Sequence, residues 1–508
     1  MTRLRGSRSK AQVALVVVAV AMSGCGGQGG PPRISSIGTQ RTTLGEPLSV
    51  PFTVVDEDPS TVAVSATADE ANLVPPSGLV ISGAGPQRSL LVAPAAGATG
   101  STNVTVRASD GTGTEASESF ALAIEMPFAG DHLVIPADNR SNTFFGGAVA
   151  AHGDEVLVAA VGEDDASGAA YLYRRDGSDW RLSSRLEASD AAPQEGFGWS
   201  VAFDGDHGVV GAIADAQKGT SAGAVYVFER DGEGWRQSAK LTASDGEQFM
   251  FFGAAVDVSG NYLVVGAPGH TGSTGDAGRG AAYLFELIAG EWSEVPIVPA
   301  LDPAVGDEFG HSVAIDGDRL VVGARGDDTA GANAGAVHVF ERIGTEWVAT
   351  ASLLAPDAVD DDGFGASVAL EGDRLVVGSP GWDDAATSEG AAYVFSNDGD
   401  EWLMVGKMTA SVPLEMNVFG YSVDVSGRYV AVGAPGIDPA PVPVPGAAYL
   451  FMETEGAWSQ VARLTPSDSS PDERFGYHLS LTREYVAVGM PLAEAEGLIT
   501  GAVHVIER

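Results

Sequence analysis

From Phe145 to the end of the chain, short apolar runs and polar turns recur in one fixed order. Phe-Gly pairs begin at Phe145, Phe197, Phe252, Phe309, Phe364, Phe419 and Phe475, at steps of 52, 55, 57, 55, 55 and 56. Self-similarity at a constant period is the signature of a repeat array. The fourth copy shows the unit well. The run 309–315 predicts a short strand, and Asp316-Gly317-Asp318 a hairpin turn of the Asp-Gly type. The run 320–323 is apolar throughout, as a strand covered on both faces should be. A Gly/Asp loop follows, then strands over 335–340 and 347–354 separated by a turn at Gly344. Tryptophan opens the last of these strands at Trp180, Trp235, Trp292, Trp347, Trp402 and Trp458. Four antiparallel strands, seven times over, predict a seven-bladed β-propeller.

The seventh copy ends at Arg508 without a Trp-led strand. An equivalent run, 132–138, stands upstream of the first Phe-Gly pair. We therefore expect the stretch 127–138 to supply the closing strand of blade seven, with residues 131–137 pairing with 503–506 and covering a bare sheet edge. The propeller then spans 127–508. Ahead of it, residues 33–126 alternate short β-type runs (48–55, 62–66, 89–92, 103–107, 120–124) with turn residues, and show no helical period. That pattern predicts a small β-sandwich.

The first residues have a different logic. Arg3, Arg5, Arg8 and Lys10 precede the apolar run 11–22, which is too short to span a bilayer comfortably as a helix. Met22-Ser23-Gly24-Cys25 follows, and Cys25 is the one cysteine in 508 residues. This resembles the bacterial lipobox, with Met22 where Leu is usual. The resemblance implies a signal peptide over 1–24 and a lipid-modified Cys25. Residues 25–32, rich in glycine and proline, read as a flexible tether. The expected location is the bacterial cell envelope, exported and lipid-anchored, with the membrane reached through the anchor alone.

The repeats themselves resemble the FG-GAP repeats of the integrin alpha-chain propeller, in the shortened form of exported bacterial proteins. Phe252-Gly253 through Gly266-Ala267-Pro268, and Phe419-Gly420 through Gly433-Ala434-Pro435, carry the likeness. The stretch 33–126 resembles bacterial Ig-like or cadherin-like domains through 52–58, 71–75, 90–94 and 106–111. These likenesses imply an adhesion or scaffolding propeller on a spacer domain.

Charge narrows the partners. Lys+Arg 28 against Asp+Glu 68 gives −40, which repels phosphate backbones and excludes a nucleic-acid role. A single cysteine leaves no intramolecular disulfide. The family's calcium loop has shrunk to turns such as Asp316-Gly317-Asp318, too short to wrap six to eight oxygens, so no metal or other cofactor is expected. Ca²⁺ is kept as an alternative at Asp56, Asp58 and Asp110, and at the acidic runs Asp164-Asp165, Asp327-Asp328, Asp383-Asp384 and Asp360-Asp361-Asp362. Arg325-Gly326-Asp327 spells an integrin-recognition tripeptide, and we read it as a coincidence of the repeat.

No nucleophile elbow, phosphate loop or metal-ligand helix stands out, and a non-enzymatic role is expected. His338 and His504 share the strand position of Tyr226 and Tyr449 and read as packing residues. Trp199, His311, Tyr421 and Tyr477 lie just after Phe-Gly pairs and would form a polar-aromatic ring at one end of the central channel. The expected function is a monomeric cell-surface protein that binds a protein or polysaccharide ligand at that ring. A hydrolase with its site in the propeller funnel is the alternative.

Overall fold

The computed structural model describes residues 31–508, apart from the stretches 44–46, 96–97, 99, 111–114, 126–127, 129, 137–141, 233, 272–277, 297–302, 384–387, 412–415, 437–445, 455, 467–472 and 496–497. Cys25, Asp384 and the whole of the Pro-rich stretch 439–445 thus lie outside the described residues. By internal contacts the chain separates into two units. The first comprises residues up to Gln40, Pro47–Ala93 and Ser101–Ala123, and the second Arg41–Glu46, Pro94–Gly100 and Ile124–Arg508.

In the first unit, Leu48–Val55 and Gln87–Val92 lie side by side in one antiparallel sheet, while Ala63–Ala68, Gly100–Ser109 and Glu115–Glu125 contribute to a second. Period-2 alternation buries one face of each. Val50, Phe52, Val54, Leu90 and Val92 are inside on the first sheet, and Val104, Val106, Phe120 and Leu122 on the second. Asp56 and Asp58 serve turns here, accepting from the backbone N–H groups of Asp58 and Ser60.

The second unit is a seven-bladed β-propeller. Six blades are four-stranded antiparallel sheets running inner to outer in chain order. The first blade, for example, comprises Phe145–His152, Glu155–Ala160, Ala169–Asp176 and Asp179–Leu186. Every residue of Glu155–Ala160, His207–Ala212, Tyr429–Ala434 and Tyr485–Met490 is buried, which explains why the second strand of each repeat reads as nearly continuous apolar sequence after its first residue. The core lies between blades. One cluster joins Leu157 and Leu172 of blade one to Val210 and Tyr226 of blade two. Another joins Val503 and Tyr485 of blade seven to Val156 and Tyr171 of blade one.

The last blade takes its outer strand from upstream. Gly130–Val134 pairs antiparallel with Ala502–Glu507, placing Val134 opposite Val503 and Asp131 opposite Ile506. His504 meets an Asp131 carboxylate oxygen at 2.9 Å across that pair. Its imidazole also packs edge-on against Phe475, while His338 packs against Phe309 at a tilt, and both replace the tyrosine of other blades.

Each Phe-Gly pair couples neighbouring blades. Phe145, Phe252, Phe309 and Phe419 form parallel bridges with Gly501, Gly223, Gly280 and Gly390 of the preceding blade. Their rings turn into their own blade, as Phe419 does against Tyr449 and Phe451. Serines three residues after the phenylalanine add a second link. Ser200, Ser312, Ser367 and Ser422 donate to the carbonyls of Gly253, Gly365, Gly420 and Gly476 in the next blade.

Candidate functional site: the mouth of the central channel

The innermost strands of all seven blades surround one cavity of about 1970 Å³. One mouth is built from the Phe-Gly turns. In every blade the residue two places after the phenylalanine donates its N–H to the carbonyl of the residue just before it. Examples are Gly147 to Phe144, Ala254 to Phe251, His311 to Glu308 and Tyr477 to Arg474. Phe and Gly are then the two central residues of a β-turn, and a glycine at φ between 85° and 95° satisfies its third position. This repeated turn sets two residue positions per blade at the mouth.

The residue before the phenylalanine is itself left-handed in every blade: Phe144, Gly196, Phe251, Glu308, Gly363, Val418 and Arg474. For the five without glycine's freedom this conformation costs on the order of 1–3 kcal/mol each. The cost is met by the inter-blade bonds on either side of the turn.

Trp199, His311, Tyr421 and Tyr477 all line this cavity. Tyr421 and Tyr477, on adjacent blades, are in ring contact at 5.0 Å, and burial together with Tyr477 pushes the Tyr421 hydroxyl up. His311 stands 3.3 Å from Glu308, which also accepts from Arg325 at 2.6 Å; these two neighbours hold the Glu308 carboxyl down at about 2. Trp199 is 51% exposed, and its counterparts on the flanking blades are Gly147 and Ala254, too small to cover it.

Phe144, Phe249 and Phe251 also line the mouth and are 42%, 52% and 36% exposed; sequence reasoning missed them. The signal was present in the doubled Phe144-Phe145 and Phe251-Phe252. The first member of each pair is spare, because the second alone fills the core position.

Farther down, the wall carries two carboxyls at a position where four other blades have alanine and blade seven has Ser480. Asp257 accepts from the N–H groups of Val258 and Ile315, at 2.9 and 2.7 Å, and Asp424 from Val425 and Leu481, at 2.8 and 2.6 Å. Burial outweighs these bonds and raises Asp257 to about 7 and Asp424 to about 6. His478, which accepts from Val149 N–H, is pushed down to about 4 by burial and is neutral. At the opposite mouth Asp204, Ser259 and Asp316 accept from the turn glycines Gly260, Gly317 and Gly372 of the next blade.

Other acidic runs are tied into loops. Asp360 accepts from Ala332 N–H, Asp361 from the Asn333 amide and Asp362 from Val359 N–H. In the Arg325-Gly326-Asp327 tripeptide, Arg325 is bonded to Glu308 and Asp327 accepts from Thr329 N–H. Among the described residues no group of three or more His, Cys, Asp or Glu side chains is disposed to hold a metal ion. No described helix is long and apolar enough to cross a membrane.

Seven consecutive segments, 132–173, 180–228, 235–285, 292–340, 347–395, 402–451 and 458–506, match the family described as FG-GAP repeat. The first begins at His132, inside the strand that closes the ring, so the sequence unit is offset by one strand from the blade. No curated protein matches the chain. Among solved structures, a chimeric titin Z1Z2 functionalized with a decorin peptide is similar over 19% of this chain and 97% of its own, at 17% identity and TM-score 0.16. Domains 4 and 5 of the S-layer protein SbsC are similar over 19% of this chain and 53% of their own, at 18% identity and TM-score 0.15. Sqt1 from Chaetomium thermophilum is similar over 75% and 90%, at 13% identity and TM-score 0.39.

Proposed function

Since the chain belongs to the FG-GAP repeat family, we propose that it is an exported, lipid-anchored bacterial protein that captures a protein or glycan ligand at the Phe-Gly mouth of its propeller. The observation that carries this reading is the exposure of Trp199, Phe144, Phe249 and Phe251 around a wide concave opening. A concave opening with exposed aromatics and a few placed polar groups is the usual form of a recognition site. The signal-like run at 11–22 and the lone Cys25 support export and acylation, and residues 25–32 would serve as the tether. The domain over 33–126 would act as an Ig-like spacer holding the propeller off the membrane.

The channel carboxyls speak to the hydrolase alternative, because raised acids in a cleft mark active sites in many enzymes. Here Asp257 and Asp424 each accept two backbone N–H groups, one of them from the next blade, which suits a role as inter-blade staples. The test is a protein and glycan array probed with the chain lacking residues 1–24, beside Trp199→Ala and His311→Ala. Ligand capture that both variants weaken is expected. Capture untouched by either variant would refute a binding role for the mouth. Turnover of the captured ligand that Asp257→Asn abolishes would establish the hydrolase instead.

A further inference from the structure

The rim of the mouth has two unlike halves. Blades one to three contribute the exposed aromatic residues Phe144, Trp199, Phe249 and Phe251, beside Glu247, which is tied to Thr271. Blades four, six and seven contribute polar groups, Glu308, His311, Arg474 and the phenols of Tyr421 and Tyr477. Trp199's counterparts at the same turn position on the flanking blades are Gly147 and Ala254, too small to cover the indole, and those blades carry the exposed Phe144 and Phe251 at their own turns.

In the polar half the Glu308 charge is already matched. Arg325 and His311 both face Glu308, and their attraction keeps that carboxyl ionised far below neutrality. A charged ligand would have to break this cluster to use Glu308, His311 or Arg325, and an anionic one drawn to Arg474 would approach a chain of net charge −40. A neutral ligand incurs neither penalty. It must present a flat apolar face to rigid aromatic planes and many small hydrogen-bonding groups to the rest. Aromatic side chains favour such amphipathic partners, because they offer large area at low entropic cost and leave the polar edge of the ligand hydrated or bonded.

We propose that the mouth binds a neutral polysaccharide, with pyranose rings stacked on Trp199, Phe251 and Phe144 and hydroxyls bonded by the polar half. This rests on the reading of the mouth as the binding site. A pyranose has one face of C–H groups and a rim of hydroxyls, the same division the rim of the channel shows. The cavity, at about 1970 Å³, admits several such rings.

The full chain should be titrated calorimetrically, and by tryptophan fluorescence, with cellohexaose, chitohexaose, mannohexaose and xylohexaose, with oligogalacturonate as the acidic control. A phage-displayed random peptide library is panned in parallel. At least one neutral hexasaccharide should bind and perturb the fluorescence, with a Kd at least tenfold weaker in Trp199→Ala and in Phe251→Ala. Leu182→Ala, a substitution on the outer strand of blade one, should leave the affinity unchanged. Both rim side chains are exposed, so melting temperatures matching the parent will separate lost contact from lost fold. The proposal falls if none of the four binds, if Trp199→Ala binds equally well, or if oligogalacturonate binds best. Selected peptides that depend on Trp199 would overturn the glycan inference and leave the mouth standing as a binding site. Peptides and glycans alike indifferent to both rim variants would remove both readings.

Discussion

Trp180, near the head of the outer strand of blade one, meets Tyr485 at the head of the second strand of blade seven, with ring centroids 4.9 Å apart and planes at 68°. The same relationship runs round the propeller: Trp292 meets His207, Trp347 meets Tyr262, and Arg319 and Arg374 lie over Trp402 and Trp458. Five of the six Trp-led outer strands thus clip onto the preceding blade, while Trp235 packs against Phe203 of its own blade. Blade seven has no tryptophan, yet the contact is kept, because Phe128 packs edge-on against Tyr429 at 5.6 Å. The upstream segment therefore brings both the missing strand and a substitute for the missing ring.

Removing that segment should open the ring. A chain starting at Asn142 loses Gly130–Val134, the Asp131–His504 pair and the Phe128–Tyr429 contact, and bares the edge of Ala502–Glu507. Its melting temperature should fall by on the order of 5 °C or more relative to a chain starting at Ile124. Equal melting temperatures would show that closure needs no upstream strand.

Glycine at the blade junctions answers to backbone geometry. A Cβ on Gly501, at φ +80°, would stand 2.2 Å from the Phe145 carbonyl oxygen, across the junction of first and last blades. Gly177 is also left-handed, at φ +69°, but has open space around it. Gly501→Ala should cost about 3 kcal/mol or more, combining strain with a backbone clash, whereas Gly177→Ala should cost about 1 kcal/mol. Urea unfolding of the two variants checks this, and equal losses would argue against close packing at the junction.

Much of this architecture was legible because the repeat writes each structural need seven times. The doubly buried second strand shows as nearly continuous apolar sequence after its first residue, and the junction glycines recur before every third strand. Strand ends were less legible: the fourth copy's outer strand runs Glu346–Leu353, one residue upstream of its tryptophan. The rim was half legible. Trp199, His311, Tyr421 and Tyr477 stand out after Phe-Gly, but Phe144 and Phe251 look like core residues until the turn shows that one of two phenylalanines faces out. Asp257 and Asp424 were illegible as staples, because their partners Ile315 and Leu481 lie in the next blade, 58 and 57 residues downstream. No local pattern reports such a bond.

Anchoring can be tested without knowing the ligand. Cleavage before Cys25 without acylation would leave a chain with no apolar anchor, since residues 26–32 contain no long hydrophobic run. Cys25→Ala should move the protein from the detergent phase to the aqueous phase in a phase-partition assay. Unchanged partitioning would rule out the lipid at this position.

The channel acids make stability depend on pH. Asp257 stands where blades one, two, four and five carry Ala150, Ala202, Ala314 and Ala369, and burial raises its carboxyl to about 7. In the unfolded chain an aspartate titrates near 3.9. The folded state therefore prefers the protonated form. The stability this preference contributes is complete below about pH 4 and is lost as pH rises to about 7. Asp257→Asn removes the titration but keeps an oxygen that can accept from Ile315 N–H. Relative to its effect at pH 4.5, the substitution should be more favourable at pH 8 by about 1–3 kcal/mol, a figure reduced from the full shift because the channel admits water. Asp424→Asn should show the same trend more weakly, its carboxyl being raised only to about 6. Chemical denaturation of both variants and the parent at the two pH values measures this directly. A difference between Asp257→Asn and the parent that does not change with pH would mean that the Asp257 carboxyl stays ionised throughout, with water or a cation in the channel supplying what burial takes away.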